Sequence, residues 1–280
     1  MIVIADSGSS KTLWKLINKE GDIKTYTTKG YNPYHIDSDG IVEDLRTHLY
    51  HEIEDEHVDY VFFYGAGCST EAKCDIVSLA LRIIFPYAEV MVTHDMLGAA
   101  RGTLSRREGL VGILGTGSNI CLYDGTEITK GITSLGYVLG DEGGGVYLGK
   151  MLLKTFMGDF MPEHLSKEFI ETYKLNKEDI LDAIYKKPQA NRFMASFSTF
   201  LLPRIEDDFV RSVVWKNFSD YFDYMVSLIP NYKSYPMQCI GSIGFHFSDV
   251  LKDVARSKGV SLEQIHQSPI EGLVKYHLEH

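Results

Sequence analysis

The sequence predicts an α/β protein of two lobes, and two observations support that fold class. In the first 107 residues, three strand-like runs precede an alternation of helical and strand-like segments, which is the order of a compact α/β lobe. From residue 109 the layout begins again, with an apolar run, a turn of small residues and a second apolar run. We therefore expect an internal duplication. No linker rich in proline or serine divides the chain, so we expect the lobes to join directly around a cleft.

Each element of the first lobe has a signal of its own. Apolar and β-branched runs, separated by a Gly/Ser turn and by "EGD", predict strands at 1–6, 12–18 and 23–30. Apolar residues at helical spacing, beginning at Ile41 and Leu45, predict the first helix. The elements expected after the third strand are a helix at 40–55, a strand at 58–67, a helix at 71–85, a strand at 89–95 and a helix at 96–104.

The second lobe is predicted to contain more helix. Residues 109–125 predict two strands around a Gly/Thr/Ser turn, and 143–232 are mostly helical in pattern. Aromatic residues at helical spacing in 193–224 indicate a packing face, in the core or in a dimer. Residues 237–247 return to strand and turn, and 247–259 predict a helix. The expected division is a first lobe at 1–107, completed by a helix near 266–278, and a second lobe at 108–265.

Composition excludes several classes of protein. The chain has 280 residues with 38 acidic against 28 basic side chains, and its net charge of −10 with no basic run argues against a nucleic-acid surface. No apolar stretch reaches the length of a membrane span, and Asp6 and Lys11 interrupt the N-terminal apolar run, so we expect no signal peptide. The four cysteines form no CxxC motif, and reduced thiols in the cytoplasm are the expectation.

The loop "IADSGSSKT" at 4–12 suggests a phosphate site, but not a Walker loop. That motif needs a glycine directly before the lysine and a helix after it, whereas Ser10 precedes Lys11 and a strand-like run follows. A phosphate-binding β-hairpin fits better, because Gly8 lets the backbone approach an anion and Asp6 would face a hydrated Mg²⁺. Hydroxyl donors for such a site are Ser7, Ser9, Ser10 and Thr12. A polar surface hairpin remains possible on these residues alone.

A second loop, "GILGTGSN", followed by "GYVLGDEGGG", extends the pattern. With it the sequence resembles the sugar kinase/Hsp70/actin ATPase superfamily. More narrowly it resembles the N-acetylglucosamine kinase branch, which also contains the activator ATPases of the BadF/BadG/BcrA/BcrD type. The resemblance implies a two-lobed actin-like ATPase (ribonuclease H-like) fold, with a duplicated mixed-sheet core and an active-site cleft between the lobes. Its matching segments are 4–12, 30–35, 92–95, 112–119, 136–144 and 240–244.

The resemblance also implies roles for individual residues. ATP phosphates would be bound by Ser7, Gly8, Ser9, Ser10, Lys11 and Thr12 in the first loop and by Gly115, Thr116 and Gly117 in the second, with Asp6 on Mg²⁺. The adenosine segment would be Gly241, Ser242 and Gly244, where Ser242 replaces a usual glycine. The sugar would be contacted by Asn32, Asp95, Ser118, Asn119, Asp141 and Glu142.

Asp95 is the expected general base, because the resembling family has a carboxylate where this strand ends. Phosphoryl transfer to a hydroxyl needs such a group to accept the developing proton. On the residues alone, Asp95 could instead cap the helix that begins there, and one residue can serve both roles. His94 and His35 are expected to be structural or surface residues.

The sequence therefore predicts an ATP- and Mg²⁺-dependent kinase, a cytoplasmic homodimer, acting on the 6-hydroxyl of an amino sugar, N-acetylglucosamine first. Glucosamine or N-acetylmuramic acid could replace that substrate. An activator-type ATPase and a non-catalytic sensor of sugar or nucleotide are also compatible with these motifs.

Overall fold

Two five-stranded sheets of the same topology organise the described residues of the computed structural model, which are 1–53, 57–132 and 134–279. The chain divides into two units. The first unit comprises Met1–Arg107, Gly125–Glu127 and Ser268–His280, and the second comprises Glu108–Asp124 and Ile128–Gln267.

The first unit contains five strands and three helices before the chain leaves it. In chain order these are β1 (Ile2–Ser7), β2 (Lys11–Ile17), β3 (Ile23–Lys29), α1 (Ser38–His48), β4 (Tyr60–Gly65), α2 (Glu71–Ile84), β5 (Glu89–His94) and α3 (Asp95–Leu104). The sheet order is β3-β2-β1-β4-β5, in which β1 to β3 are antiparallel and β4 and β5 run parallel to β1.

The second unit repeats this arrangement around a helical insertion. Its elements are β6 (Gly109–Leu114), β7 (Ser118–Tyr123), β8 (Ile128–Gly131), α4 (Gly136–Leu139), α5 (Gly145–Met157), α6 (Glu163–Tyr173), α7 (Lys177–Tyr185), α8 (Ala190–Ser196), α9 (Ser198–Leu201), α10 (Asp208–Tyr224), β9 (Pro236–Ile240), α11 (Ser242–His246), α12 (Ser248–Lys258) and β10 (Ser261–His266). Its sheet order, β8-β7-β6-β9-β10, repeats the first sheet strand for strand, with the same parallel and antiparallel pairs. The predicted fold class and repeated layout are confirmed. The last helix, α13 (Ile270–Leu278), returns to the first unit.

The structure corrects three predicted elements. α1 ends at His48 and a short 3₁₀ turn, Tyr50–Glu52, follows, while the end of the predicted helix at 54–55 lies outside the described residues. Leu49 and Ile53 are nevertheless buried, so the four-residue spacing of apolar residues indicated which side chains are buried but not that the helix continues. The sequence prediction missed β8 and β10, which are edge strands with mostly exposed or half-exposed side chains and no clear apolar alternation.

Aromatic side chains pack in the core of each unit. Trp14, Tyr31 and Phe63 pack together in the first unit, with ring centroids 6.1–6.5 Å apart. In the second unit, most of the aromatic residues between 193 and 224, among them Phe197 and Phe218, are buried in the core, whereas Trp215 and Tyr224 are exposed. Cys68, Cys74 and Cys239 are free thiols. Among the described residues, no helix combines the length and apolar character needed to cross a bilayer.

Candidate active site

The first loop is the turn of a β-hairpin, as predicted. β1 and β2 pair up to Ser7 and Thr12, and Gly8 N donates to Lys11 O at 2.9 Å to close the turn. Gly30 packs directly against this turn, since a Cβ at Gly30 would lie only 2.3 Å from Gly8 O. The strand that follows the loop excludes a Walker arrangement, which needs a helix there.

The hydroxyls of Ser7 and Thr12 face the protein interior. Their oxygens are 2.8 Å apart, and Thr12 Oγ1 donates to Lys29 O at 2.9 Å. Ser7 Oγ must therefore donate to Thr12 and accept from Tyr31 N at 3.1 Å. Both protons are used inside the buried base of the hairpin. What remains accessible is the turn itself, with Ser9 half-buried and Gly8, Ser10 and Lys11 exposed.

Asp6 lies near the end of β1, half-buried, and is held by a residue from the far end of the chain. Ser268 Oγ donates to Asp6 Oδ2 at 2.7 Å and accepts from Ile270 N at 3.2 Å, where α13 begins. Burial raises the pKa of Asp6, and the Ser268 hydrogen bond and the charge of Lys11 oppose that rise. Sequence reasoning missed Ser268, because nothing in its local pattern sets it apart.

Asp95 is the first residue of α3 and directly follows β5. Its Oδ1 accepts from Met96 N at 2.9 Å. Burial raises the pKa of Asp95 to about 6, and the negative charge of Asp6 adds to the rise. A carboxylate with this pKa is ionised at neutral pH and still basic enough to accept a proton.

The capping interpretation of Asp95 is wrong, because His94 caps the helix. His94 Nδ1 accepts from Leu97 N at 3.2 Å, so the ring is neutral in this arrangement. Burial lowers the pKa of His94, with a smaller contribution from the positive charge of Arg101. His94 therefore has a structural role, as expected, in capping the helix α3.

Asn32 lies in the segment that follows β3, in contact with the loop after β4. Its Oδ1 accepts from Tyr34 N at 3.0 Å. A Cβ at Gly67 would lie 2.3 Å from that same oxygen, and Gly67 has a φ of +83°, so only glycine suits this turn. Tyr31, next to Asn32, donates a backbone hydrogen bond to Ser7 Oγ. The segment that contains Asn32 therefore also stabilises the hairpin.

The second loop closes the β6–β7 hairpin and contacts the start of α5. Gly115 N donates to Gly117 O at 3.0 Å, and Gly115 O accepts from Gly145 N at 2.8 Å. Thr116 O accepts from Val146 N at 2.9 Å. The first amides of α5 are thus satisfied by the carbonyls of this loop, which fixes the loop against the helix.

Glycines on both sides allow this packing. A Cβ at Gly144 would lie 2.7 Å from the carbonyl carbon of Gly117, and one at Gly241 would lie 2.5 Å from Leu114 O. Gly241 has a φ of +111°, and Ser242, exposed, begins α11. Gly244 packs on Leu114, with 3.3 Å between a Cβ there and the Leu114 Cβ. The predicted second phosphate loop and adenosine segment are therefore in direct contact.

Asp141 approaches the same loop. Its Oδ1 lies 3.4 Å from both Ser118 N and Ser134 Oγ, which point their hydrogens at it. Asp141 has a φ of +65°, a left-handed conformation that costs energy for a residue other than glycine. Burial raises its pKa, and the Ser118 amide opposes the rise most strongly. Its neighbour Glu142 is half-buried.

The two residues that follow the loop differ in what they offer a ligand. Ser118 is buried and its Oγ contacts Met225 Sδ at 3.3 Å, so its hydroxyl points into the core. Asn119 is half-buried; its Oδ1 accepts from Ile120 N at 2.9 Å, and its backbone oxygen accepts from Tyr221 at 2.9 Å. The predicted site residues therefore form two groups, one in each unit.

Cys68 and Cys74 lie close together in the first unit, where Cys74 Sγ donates to Cys68 O at 3.7 Å. Burial raises the pKa of Cys68 to about 12, which keeps the thiol protonated, and burial also raises the pKa of Cys74. Within 1–53, 57–132 and 134–279, no group of three or more His, Cys, Asp or Glu side chains is placed to hold a metal ion.

The whole chain is similar to a solved structure from Porphyromonas gingivalis, a protein provisionally named as an N-acetylglucosamine kinase. The two share 39% sequence identity with a TM-score of 0.95, and the match covers 100% of this chain and 99% of that one. The chain belongs to the N-acetylglucosamine kinase-like family. The family predicted from the loops is thus confirmed, and with it the actin-like ATPase fold.

Two further comparisons concern a curated protein of lower identity and a solved structure with the same fold. An N-acetylmuramic acid/N-acetylglucosamine kinase of Clostridium acetobutylicum is 26% identical over 214 residues, which is 70% of this chain and 68% of that protein. A glucokinase of the ROK family from Streptomyces griseus, solved with glucose and AMPPNP, shares the fold at a TM-score of 0.57 and 14% identity. That match covers 98% of this chain and 97% of that one. No protein-family profile matches the chain.

Proposed function

We propose that this protein is an ATP-dependent kinase that transfers the γ-phosphoryl group of ATP to the 6-hydroxyl of an amino sugar, N-acetylglucosamine first. The observation that carries the proposal is Asp95, a carboxyl group at the end of a strand with a pKa of about 6 beside a second carboxyl group. The full-length similarity to the Porphyromonas gingivalis protein supports the choice of sugar.

Asp95 acts as the general base. As the sugar hydroxyl attacks the γ-phosphorus and its bond to the leaving oxygen of ADP breaks, the hydroxyl proton passes to a carboxylate oxygen of Asp95. Its Oδ1 is held by the Met96 amide, so the other oxygen is the acceptor. The raised pKa matters here, because a carboxylate of ordinary pKa is a weaker base.

The surroundings of Asp6 fit a Mg²⁺ ion held largely by nucleotide and water. Ser268 occupies one oxygen of the carboxylate, which leaves the other to face a water of the ion. Mg²⁺ in nucleotide sites is typically bound by one or two carboxylates together with phosphates and waters, rather than by a cage of protein groups. When bound, the ion neutralises charge on the phosphates.

The phosphates are bound by the tips of both hairpins in this proposal. In the first hairpin Gly8, Ser9, Ser10 and Lys11 keep that role, while Ser7 and Thr12 position the turn because their hydroxyl protons are used internally. The second hairpin contributes Gly115, Thr116 and Gly117. Gly241, Ser242 and Gly244 bind the adenosine.

The sugar is bound by amide and carboxylate groups, which between them accept from and donate to hydroxyls. We assign this role to the side chains of Asn32, Asn119, Asp141 and Glu142. Ser118 contributes through its backbone, because its hydroxyl points at Met225. The Clostridium acetobutylicum relative is named for two sugars, which favours N-acetylmuramic acid as the second candidate substrate.

A homodimer in the cytoplasm completes the proposal. The free thiols of Cys68, Cys74 and Cys239 suit a reducing compartment. Large exposed side chains on the second unit, Phe160 at 77% and Tyr185 at 80% exposure, offer apolar surface for a second copy. Light scattering after gel filtration measures the oligomeric state, and a monomer at micromolar concentration contradicts this part.

An assay of ADP release with a panel of amino sugars tests the function. N-acetylglucosamine should stimulate turnover, with phosphate on the 6-oxygen of the product by NMR. Asp95→Asn should lower kcat by about 10²- to 10⁴-fold, the usual contribution of a general base. Asp75→Asn, which makes the same charge change at an exposed carboxylate of α2, should retain activity. If no amino sugar stimulates ADP release, or if Asp95→Asn turns over normally, the proposal is wrong.

A further inference from the structure

Tyr221 on α10 touches both segments of the second unit that are assigned to the sugar. It is fully buried, and its hydroxyl donates to Asn119 O at 2.9 Å. The base of its ring lies against Gly143, where a Cβ would come within 2.9 Å of Tyr221 Cβ and Cγ. Asn119 and the Asp141–Glu142 turn are thus in contact with one side chain.

Two glycines make room for this side chain. A Cβ at Gly112, on β6, would lie 2.5 Å from the Tyr221 hydroxyl oxygen, so any larger residue would block the hydroxyl from Asn119. Gly143 has a φ of +85° and so combines a left-handed turn with close contact to the ring. Glycine is therefore required at positions 112 and 143 for the Tyr221 side chain to occupy this position.

A second residue of α10 supports the same turn. Asn217, one helical turn before Tyr221, is fully buried, and its Oδ1 accepts from Gly143 N at 3.2 Å. Within the described residues its Nδ2 has no partner. Retaining a polar side chain that is only partly satisfied costs stability, and its benefit here is a fixed Gly143 amide.

We propose that Tyr221 is a positioning residue that fixes the separation of Asn119 from Asp141 and Glu142, and thereby sets the affinity for the sugar. The identity of the ligand rests on the proposed function. The separation itself does not, because it depends only on the contacts of Tyr221 with Asn119 and Gly143. A residue that only filled the core would affect stability and leave the affinity for one substrate unchanged.

Tyr221→Phe separates these possibilities, because it removes the hydroxyl and keeps the ring. Loss of one hydrogen bond to a buried carbonyl should raise KM for the sugar about tenfold, with KM for ATP and kcat changed less than about threefold. Ser198→Ala is the matched control. It also removes a buried hydroxyl that donates to a backbone carbonyl of the second unit, Ala195 O at 2.7 Å, away from the assigned sugar residues.

Hydrogen exchange followed by mass spectrometry supplies a readout that needs no turnover. In Tyr221→Phe, the peptide covering 115–121 should exchange about tenfold faster, because Asn119 loses its hydrogen bond to the Tyr221 hydroxyl. The peptide covering 140–147 contacts the retained ring, so it should exchange as in wild type, and Ser198→Ala should leave both peptides unchanged. If wild type shows no sugar-stimulated turnover, the proposed function fails and hydrogen exchange alone decides this inference. An unchanged exchange rate in the peptide covering 115–121, or an equal rise in sugar KM in the two variants, overturns the positioning role.

Discussion

At the scale of single residues, the structure shows that several hydroxyl groups of the predicted loops bond within the protein, which the sequence could not reveal. Ser7, Thr12 and Ser118 stand in motifs rich in hydroxyl donors, yet their oxygens bond to Tyr31 N, Lys29 O and Met225 Sδ. A motif fixes which side chains are near a loop. It does not fix their rotamers, which depend on partners from other strands and helices.

Asp95 is expected to cost the protein stability when ionised. Its pKa is about 6 in the folded protein and near 4 in an unfolded chain, so the folded state binds more protons between these values. Stability should therefore fall as pH rises through this window, by about 3 kcal/mol at most. Asp95→Asn should be more stable than wild type by about 1–3 kcal/mol at about pH 7, and by little at about pH 4.

Urea unfolding of both proteins across this pH range measures the effect. Asp75→Asn again serves as the control, since it makes the same charge change at an exposed carboxylate of α2. An Asp95→Asn variant that is less stable than wild type at neutral pH would mean that the carboxylate is not destabilised by burial.

At the scale of elements, the two hairpins, the helices of the first unit and α12 followed from periodicity and turn residues, whereas the strand order and the separate helices of 143–232 did not. The failures were β8 and β10, whose exposed edge positions give no apolar alternation, and the C-terminal end of the first helix. The supports of the site were also missed. Gly30, Gly144 and Ser268 act through contacts with residues far away in sequence, which one sequence without relatives cannot reveal.

The first hairpin should lose its position in Gly30→Ala. The added methyl group would lie 2.3 Å from Gly8 O, so the turn must move. We expect KM for ATP to rise about tenfold and stability to fall by about 1–3 kcal/mol, the usual cost of overpacking. Gly131→Ala is the control, because the nearest atom to its added methyl group is 4.0 Å away. Steady-state kinetics and urea unfolding measure both quantities, and an unchanged KM for ATP would refute the bracing role.

At the scale of the whole molecule, the first unit depends on the last segment of the chain. Ile270, Leu273 and Val274 of α13 are buried against Ile4, Ile17 and Tyr64. A chain ending at Gln267 would expose this apolar surface, which is worth about 1.5–3 kcal/mol for each buried side chain and so rivals the total stability of a domain. We expect the first unit to unfold in that truncated protein.

Two tryptophans allow the units to be followed separately, since Trp14 is buried in the first unit and Trp215 lies in the second. In a Trp215→Phe background, the fluorescence of Trp14 should shift to the red when 268–280 are deleted. Deletion of 279–280 alone should leave it unchanged. A native-like Trp14 spectrum in the longer deletion would show that α13 is dispensable for the first unit.

The repeated sheet topology has a consequence for how the chemistry is divided. β1 and β6 occupy the same place in the two sheets and each leads into a three-residue turn, but Asp6 precedes the end of β1 where Ile113 precedes the end of β6. Likewise Asp95 follows β5, and the uncharged Gln267 follows the equivalent strand β10. At these two pairs of matching positions, the first unit carries an acidic side chain and the second an uncharged one. In the proposed function the general base Asp95 belongs to the first unit and the assigned adenosine segment to the second, so we expect a gene fragment encoding one half to be inactive even when it folds.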